Sequence, residues 1–444
     1  MYSKGEMVQT GLPSLLTSRM ILVFLFVTFR VMALFAHQPY LTTTPEAASY
    51  DLLEPDGSNI REQGLTSTGD FWYYYGLARW SDQGLLPYRD YWYEFPPVFP
   101  TLSLTIYSLI SDRDQSYSSY NVYANLLAMV MILVDALNLL LLRRLGTRLH
   151  GPMTGIALSW MYALIPISFL HVFWNFEPLV AFTVLLSLTG FVEGRDMRGA
   201  LGAALGACTK LFPLILLAPV WRMRTPAQAI RTSVIAVGIT AVAFIGMIAL
   251  NREFGMGSLM VQFNKASYQT IWAVIDGNQA TGLLDPDHRD PAAAYQLQGN
   301  PSVVPWWLRG IVFGGIGLWV YVRTRRRDEM GFVLFTTITV VIFFLWSQGW
   351  SPQWQVTLFP LILLCMPNGR GVLFCVTLGI VGLAEFPLLF SYGIDRSTGM
   401  FSPQTFPLWV ALVSLRTLML AGLAFELYRR LRISTPRKPV SEVA

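Results

Sequence analysis

Charged residues are scarce in this sequence. Only 13% of its 444 residues are Asp, Glu, Lys or Arg, whereas about 25% is usual for a soluble protein. At the same time, 53% of the residues are hydrophobic and the mean hydropathy is +0.46. This composition excludes a string of soluble domains and indicates an integral membrane protein.

Cysteine sites and several common catalytic motifs are also missing. Cys208, Cys365 and Cys375 lie in or beside apolar segments without C-x-x-C spacing or a neighbouring histidine, so neither a disulfide framework nor a zinc site is expected. There is no G-x-x-x-x-G-K-[ST], G-x-S-x-G or H-E-x-x-H motif. Nucleotide hydrolysis, serine hydrolysis and zinc proteolysis therefore have no support. No cofactor is predicted. A divalent cation is not excluded, but it has no support because no carboxylate pair has obvious ligand spacing.

Apolar runs of the length that crosses a bilayer recur along the whole chain. The first run is followed by no small-residue cleavage site, so we predict a retained first helix rather than a signal peptide. We expect an all-α, polytopic fold that forms a single transmembrane domain over 1–444, with about ten full spans. The predicted spans are 20–36, 120–142, 152–170, 177–193, 228–250, 305–323, 331–347, 353–367, 371–392 and 405–428.

The basic residues are placed as expected for membrane topology. The net charge is +5, and the excess lies in short links between apolar runs, most densely at Arg323–Arg327 and in the tail 429–444. Such links prefer the cytoplasm. Nucleic-acid binding is a poor explanation for this pattern, and we predict that both termini are cytoplasmic.

Segment 199–221 does not fit a simple crossing. It is rich in Gly and Ala and is interrupted by Lys210 and Pro213, and a single crossing would put the next basic cluster outside. We therefore predict two short half-helices that enter the membrane and return, a break that is tolerated facing protein or water. The polar segments 37–117 and 251–304 then become two long outer loops, where function is expected.

The first outer loop contains an acidic residue among aromatics, Asp70 before Phe71-Trp72-Tyr73-Tyr74-Tyr75. A carboxylate in such surroundings suits a general base acting on a hydroxyl, and aromatic faces bind sugar rings. An ordinary helix cap with interfacial aromatic anchors explains the same residues. Asp82, Asp90 and Glu94 are rival acids in the same loop.

Lys210 is the hardest residue to explain structurally, because a lysine at membrane depth costs about 2.5 to 3.5 kcal/mol without a partner or water. Its expected partner is Glu177 or a phosphate, with snorkelling to the interface as the alternative. Glu177 equally suits the start of a helix, and His171 suits an interfacial position. Lys265 and Gln353 would supply donors to a phosphate or to sugar hydroxyls.

Taken in order, these features resemble the C-type-fold polytopic glycosyltransferases, most closely the actinobacterial mannosyltransferases that use polyprenyl-phosphate-mannose. The resemblance spans most of residues 20 to 430 and depends on the order of several short motifs. These are Asp70, the stretch from Tyr88-Arg89 to Glu94-Phe95-Pro96-Pro97, Glu177, the Thr209-Lys210-Leu211-Phe212-Pro213 break, the Ser267 to Asn278 stretch and Trp350-Ser351-Pro352-Gln353-Trp354. At 177 a Glu replaces the more usual Asp of this family.

The resemblance implies inverting transfer of a sugar, with mannose as the leading expectation, from a polyprenyl-phosphate donor to a glycolipid or glycan acceptor. Asp70 would be the base, and Lys210 and Lys265 would contact the donor phosphate. The other expected substrate-binding residues are Tyr74, Arg89, Glu94, His171, Glu177, Gln353 and Trp354. The protein would lie in the cell membrane among membrane lipids, with its active site on the extracytoplasmic side. A transporter or flippase of lipid-linked sugar is the alternative, because it too would bury a lysine at a helix break.

Overall fold

The computed structural model describes residues 14–36, 40–43, 60–63, 69–110, 117–165, 171–172, 174–279, 287–297, 299–395 and 400–433. The α-helices are α1 Ser14–Thr17, α2 Arg19–Ala36, α3 Gly69–Arg79, α4 Val98–Ser108, α5 Tyr117–His150, α6 Pro152–Leu164, α7 Glu177–Val192, α8 Asp196–Ala207, α9 Leu217–Met223, α10 Pro226–Leu250, α11 Arg252–Asn264, α12 Ile271–Asp276, α13 Trp306–Arg323, α14 Glu329–Trp346, α15 Gln355–Cys365, α16 Gly369–Leu383, α17 Phe390–Gly393 and α18 Phe406–Arg432. Short 3₁₀ helices cover Trp80–Gln83, Phe212–Leu216, Pro291–Tyr295 and Pro352–Trp354, and a π-helical turn covers Ala384–Leu389.

The fold is all-helical, as predicted. Within the described residues the strands form two small antiparallel ribbons, β1 Tyr40–Thr43 with β2 Ile60–Gln63 and β3 Ile394–Asp395 with β4 Met400–Phe401. Both ribbons lie in segments predicted to be polar loops. They do not alter the helical class.

In the part of the chain that the structure describes, six helical segments are long and apolar enough to cross a membrane, which makes this a multi-pass membrane protein. The predicted count of about ten full spans is not confirmed. For example, α7 has 16 residues and is therefore about 24 Å long, short of a hydrocarbon core of about 30 Å. The end of the predicted span 152–170 lies outside the described residues. The six segments are Arg19–Ala36, Ser119–His150, Pro226–Leu250, Glu329–Trp346, Gly369–Leu389 and Phe406–Arg432.

The segment around Lys210 folds back on itself. Helix α8 ends at Ala207, and a 3₁₀ turn and α9 bring the chain back to the level at which α8 began. As a result, Arg224 Nε lies 3.0 Å from Asp196 Oδ1 at the first residue of α8. Lys210 therefore lies at the far end of a hairpin, near the turn, as the sequence predicts.

Glycines let the hairpin pack closely against α7. A Cβ at Gly202 would lie 2.8 Å from the backbone nitrogen of Ser187, and one at Gly190 would lie 2.5 Å from that of Gly199. Such contacts are possible only without a side chain, which is the usual role of small residues between membrane helices. This packing fixes the start of α7, and thus Glu177, beside the turn that carries Lys210.

Buried ion pairs tie other helices together. Arg30 of α2 donates to Asp135 of α5 at 3.0 Å, and both side chains are fully buried. Tyr162 of α6 donates to the second oxygen of Asp135 at 2.5 Å. Arg416 of α18 pairs in the same way with Glu385 in the π-helical turn. Charges inside a membrane protein are tolerated when they are paired in this manner.

Candidate active site

The described parts of the two long loops that the sequence predicts to lie outside pack against each other. Tyr93 N–H of the first loop donates to Ser258 Oγ of the second at 2.9 Å. Trp92 N–H donates to the carbonyl oxygen of His288 at 3.1 Å, and His288 Nδ1 lies 2.8 Å from the carbonyl oxygen of Trp92. Acidic residues from one loop and a lysine from the other are thereby brought together, although they are far apart in sequence.

Asp70 lies in the first turn of α3, where its charge complements the helix dipole. Gln353 Nε2, from the loop before α15, donates to Asp70 Oδ2 at 3.4 Å. The carboxylate therefore faces another part of the chain. Its side chain retains access to solvent, which an acceptor hydroxyl also requires.

Both predicted lysines are paired with glutamates next to this position. Lys210 Nζ donates to Glu177 Oε1, and Lys265 Nζ donates to Glu94 Oε1. The four side chains are largely shielded, with exposures of 20%, 4%, 9% and 14% for Lys210, Glu177, Lys265 and Glu94. Lys210 therefore pairs with Glu177, one of the two partners that the sequence predicts, and does not extend alone towards solvent.

Capping of α7 is done by Asn175 rather than by Glu177. The Asn175 side-chain oxygen accepts from the backbone N–H of Glu177 at 2.9 Å, and its amide donates to the carbonyl oxygen of His171 at 2.5 Å. This leaves the Glu177 carboxylate for Lys210. Within the described structure, the second carboxylate oxygen of Glu177 is buried without a hydrogen-bond partner.

Aromatic rings line the same site. Lys210 Nζ lies 4.7 Å from the ring centroid of Trp354 and 5.8 Å from that of Phe176. Phe95 packs against Phe176 with a centroid separation of 4.7 Å, and Tyr74 packs against both rings at 6.1 and 6.0 Å. These faces provide cation–π support for the lysines and flat surfaces of the kind that stack against sugars.

Burial and the negative charge of a neighbouring glutamate raise the pKa of Asp70. Desolvation, followed by the negative charge of Glu94, raises the pKa of Asp70 to about 6, although Lys210 acts in the opposite direction. Part of the Asp70 side chain contacts solvent, while the protein atoms that surround its carboxylate desolvate it. A carboxyl with this pKa is a better base than an ordinary aspartate and is still largely ionised at neutral pH.

Two of the predicted site residues are not brought into the cluster. Arg89 lies at the surface and pairs with its neighbour Asp90 at 2.8 Å. His171 is buried, and burial lowers its pKa to about 4. Its carbonyl oxygen shapes the loop before α7, while its side chain makes no hydrogen bond to the cluster within the described residues.

Tyr268 lies near the cluster, although the sequence analysis includes it only as part of the Ser267 to Asn278 stretch and gives it no role. Burial raises its pKa, with further contributions from Glu94, Asp70 and Glu177, so its hydroxyl stays protonated close to three carboxylates. Tyr268 N–H donates to Gln348 O at 3.0 Å. The sequence contains both segments but no signal that they pair. In the described part of the chain, no group of three His, Cys, Asp or Glu side chains is placed to hold a metal ion.

The model of glycosyltransferase family 87 matches residues 97–347. The chain belongs to glycosyltransferase family 87. The matched range includes Glu177, Lys210 and Lys265, while Asp70, Glu94 and Gln353 lie outside it. A search of curated protein sequences finds no match.

Solved structures of an Archaeoglobus fulgidus oligosaccharyltransferase are weakly similar to this family 87 protein. The apo form has a TM-score of 0.43 at 12% identity, and covers 94% of this chain and 56% of its own. The form tethered to an acceptor peptide has a TM-score of 0.38 at 12% identity, with coverage of 94% and 55%. This chain thus spans little more than half the length of those proteins.

Proposed function

We propose that this family 87 glycosyltransferase has a C-type fold and transfers a sugar from a polyprenyl-phosphate donor to a glycolipid or glycan acceptor. One observation carries the proposal: Asp70, a solvent-accessible carboxylate with a raised pKa, lies beside two lysines and a wall of aromatic rings. This arrangement provides a base, cations for a leaving phosphate and a surface for a sugar in one place.

In the proposed reaction, the acceptor hydroxyl attacks the anomeric carbon of the donor while Asp70 accepts the hydroxyl proton. The bond from the anomeric carbon to the phosphate oxygen breaks, and the prenyl phosphate leaves with the electron pair. The configuration is inverted because attack and departure take place on opposite faces of the sugar. Lys210 and Lys265 offset the charge that develops on the phosphate.

The paired lysines can still bind a phosphate. An ammonium group has three donors, so Lys210 can keep Glu177 and donate to a phosphate oxygen as well. Mannose as the sugar, the cell membrane as the location and the extracytoplasmic face as the site of reaction belong to the same proposal and derive from the sequence resemblance.

A transporter or flippase of lipid-linked sugar would also use a cation at a helix break. The hairpin with Lys210 at its turn is the observation in its favour. Membership of a glycosyltransferase family and a carboxylate with the pKa of a base favour transfer. The two proposals differ in one product, because only transfer makes a new glycosidic bond.

Asp70→Asn tests the proposed base. Asparagine keeps the shape and the contact with Gln353 but cannot accept a proton at neutral pH. Losing a positioned base costs about 10²- to 10⁴-fold in rate, so we expect a folded protein that binds prenyl-phosphate-mannose without transferring the sugar. Asp90→Asn in the same loop is the control, because Asp90 pairs with Arg89 at the surface. Transfer by Asp70→Asn within about threefold of the parent, a barrier change under 1 kcal/mol, would refute the assignment and turn attention to Glu94.

A further inference from the structure

A cavity lined by arginines lies at the C-terminal end of α13, apart from the candidate active site. It has a volume of about 530 Å³, and its walls include Arg222, Arg323 and Arg325 together with Leu318, Trp319 and Val322. The lining contains three cations and no carboxylate. A cavity of this composition suits a ligand that carries an anionic group next to an apolar chain.

The arginines of the cavity differ from those around it. Nearby Arg326 pairs with Asp328 at 2.8 Å, and Arg430 pairs with Glu426 at 2.8 Å. None of Arg222, Arg323 and Arg325 makes an ion pair with a carboxylate within the described residues. Three positively charged side chains therefore line one cavity without a carboxylate partner, which favours the binding of an anion.

Local packing holds two of these guanidinium groups in place, those of Arg222 and Arg323. Arg323 Cζ lies 4.5 Å from the ring centroid of Trp319, and Arg222 Nη2 donates to the carbonyl oxygen of Thr324 at 2.5 Å. Arg222 Nε is buried without a hydrogen-bond partner in the described structure. The groups are thus oriented before any ligand arrives, which lowers the entropy cost of binding.

The apolar wall of the cavity continues along the outside of α13. Leu318, Trp319 and Val322 are exposed, and Ile311 and Ile316 farther up the helix are exposed too. On a membrane helix such a face contacts lipid chains. An anion bound by the arginines would therefore have an apolar surface beside it for acyl chains.

The cavity and the candidate active site lie at opposite ends of α13. The start of this helix lies near the candidate active site. Val303 N–H donates to Asp276 Oδ1 at 2.7 Å. Asp276 Oδ2 in turn accepts from Ser267 Oγ at 2.6 Å, and Ser267 is only two residues after Lys265. The 18 residues of α13 then extend about 27 Å. The cavity is therefore separate from the proposed donor site. Helix α13 is not among the six long apolar segments, but the predicted topology, in which 305–323 is a span, puts the cavity at the other leaflet.

We propose that this cavity binds the phosphate headgroup of an anionic phospholipid of that leaflet, with its acyl chains along α13. Basic pockets between membrane helices bind such headgroups. The chemistry is shared with soluble phosphates, and the exposed apolar wall is what favours a lipid. The expected role is to hold the ends of α9 and α13 together.

The experiment compares the full-length protein with Arg323→Gln/Arg325→Gln and with Arg370→Gln. Arg370 is an exposed arginine at the start of α16. It lies at the same end of the bundle as the cavity, because Arg430 Nη1 donates to the carbonyl oxygen of Cys365 at the end of α15 and Arg325 N–H donates to that of Leu431. Each protein in detergent is titrated with phosphatidylglycerol, phosphatidylcholine or soluble glycerol phosphate and followed by native mass spectrometry. We expect phosphatidylglycerol to bind the parent most tightly, and to bind the double variant roughly 30-fold more weakly, or about fivefold per arginine. Arg370→Gln should match the parent.

Three results would overturn the proposal. They are equal binding of phosphatidylcholine by the parent, binding of glycerol phosphate as tight as that of the lipid, and unchanged phosphatidylglycerol binding by the double variant. If the double variant does not fold, the single variants Arg323→Gln and Arg325→Gln decide, with the expected loss of about fivefold each.

Discussion

Each lysine of the candidate site already has a glutamate partner, which changes what a lysine substitution measures. In Lys210→Met, Glu177 would keep a charge in a shielded position with nothing to balance it. Breaking a buried pair in this way usually costs about 3 to 5 kcal/mol. Loss of activity in the single variant could therefore come from misfolding as well as from loss of a phosphate contact.

The double variant Lys210→Met/Glu177→Gln separates these causes. We expect Lys210→Met alone to unfold at a lower temperature, and the double variant to regain most of that stability because no unpaired charge remains. If Lys210 binds the donor phosphate, the double variant stays inactive although it is folded. Thermal unfolding and transfer assays measure both effects. Restored transfer in the double variant would give Lys210 a structural role only.

The raised pKa of Asp70 predicts that the rate of sugar transfer depends on pH. A base acts when it is deprotonated, so with a pKa of about 6 transfer should fall as the pH drops below about 6, by up to tenfold per pH unit. Glu94 raises this pKa through its charge. In Glu94→Gln the acidic limb of kcat/KM should therefore move to lower pH, because a like charge is removed and Lys265 loses its partner. Asp90→Asn should leave the limb where it is. If the acidic limb of kcat/KM stays at the same pH in Glu94→Gln, Asp70 is not the base whose titration limits transfer.

At the scale of elements, the close approach of α7 and α8 positions Glu177 and Lys210. Gly202→Ala would place a methyl group 2.8 Å from the backbone nitrogen of Ser187, so the helices must separate, at a cost of about 1 to 3 kcal/mol. We expect a lower unfolding temperature and reduced transfer. Gly238→Ala on α10 is the matched control, because nothing lies within 4 Å of its added Cβ. Equal unfolding temperatures for the two variants would show that the close packing of α7 against α8 does not contribute to stability.

At the scale of the whole molecule, the two ends of α13 should lie on opposite sides of the membrane. The predicted topology puts the Arg323–Arg327 link inside and the loop 251–304 outside. In the described structure the native cysteines are all buried, while Arg327 and Ser302 are exposed. A membrane-impermeant maleimide should label Ser302→Cys in intact cells and leave Arg327→Cys unlabelled until the cells are opened. The reverse pattern would invert the topology and move the proposed site to the cytoplasmic face.

The sequence by itself determined the membrane class, the helical fold and the turn at Lys210, because hydropathy and helix-breaking residues act locally along the chain. It also showed that Lys210 needs an anionic partner, since an isolated charge at membrane depth is costly. It did not determine the number of full spans, because apolar helices buried in protein need not reach across the bilayer.

Only the tertiary structure decided which groups meet. Glu94 and Lys265 are 171 residues apart, and no local pattern links them, because their pairing depends on how the two outer loops pack. The same applies to Gln353 and Asp70, and to Tyr268 beside Gln348. In the sequence, Arg222, Arg323 and Arg325 look like ordinary topology signals. Arg326 and Arg430 find their carboxylate partners, Asp328 and Glu426, only two and four residues away along the chain. Only the tertiary structure brings Arg222 of α9 together with Arg323 and Arg325 in one cavity, because the packing of α9 against the end of α13 joins segments about 100 residues apart.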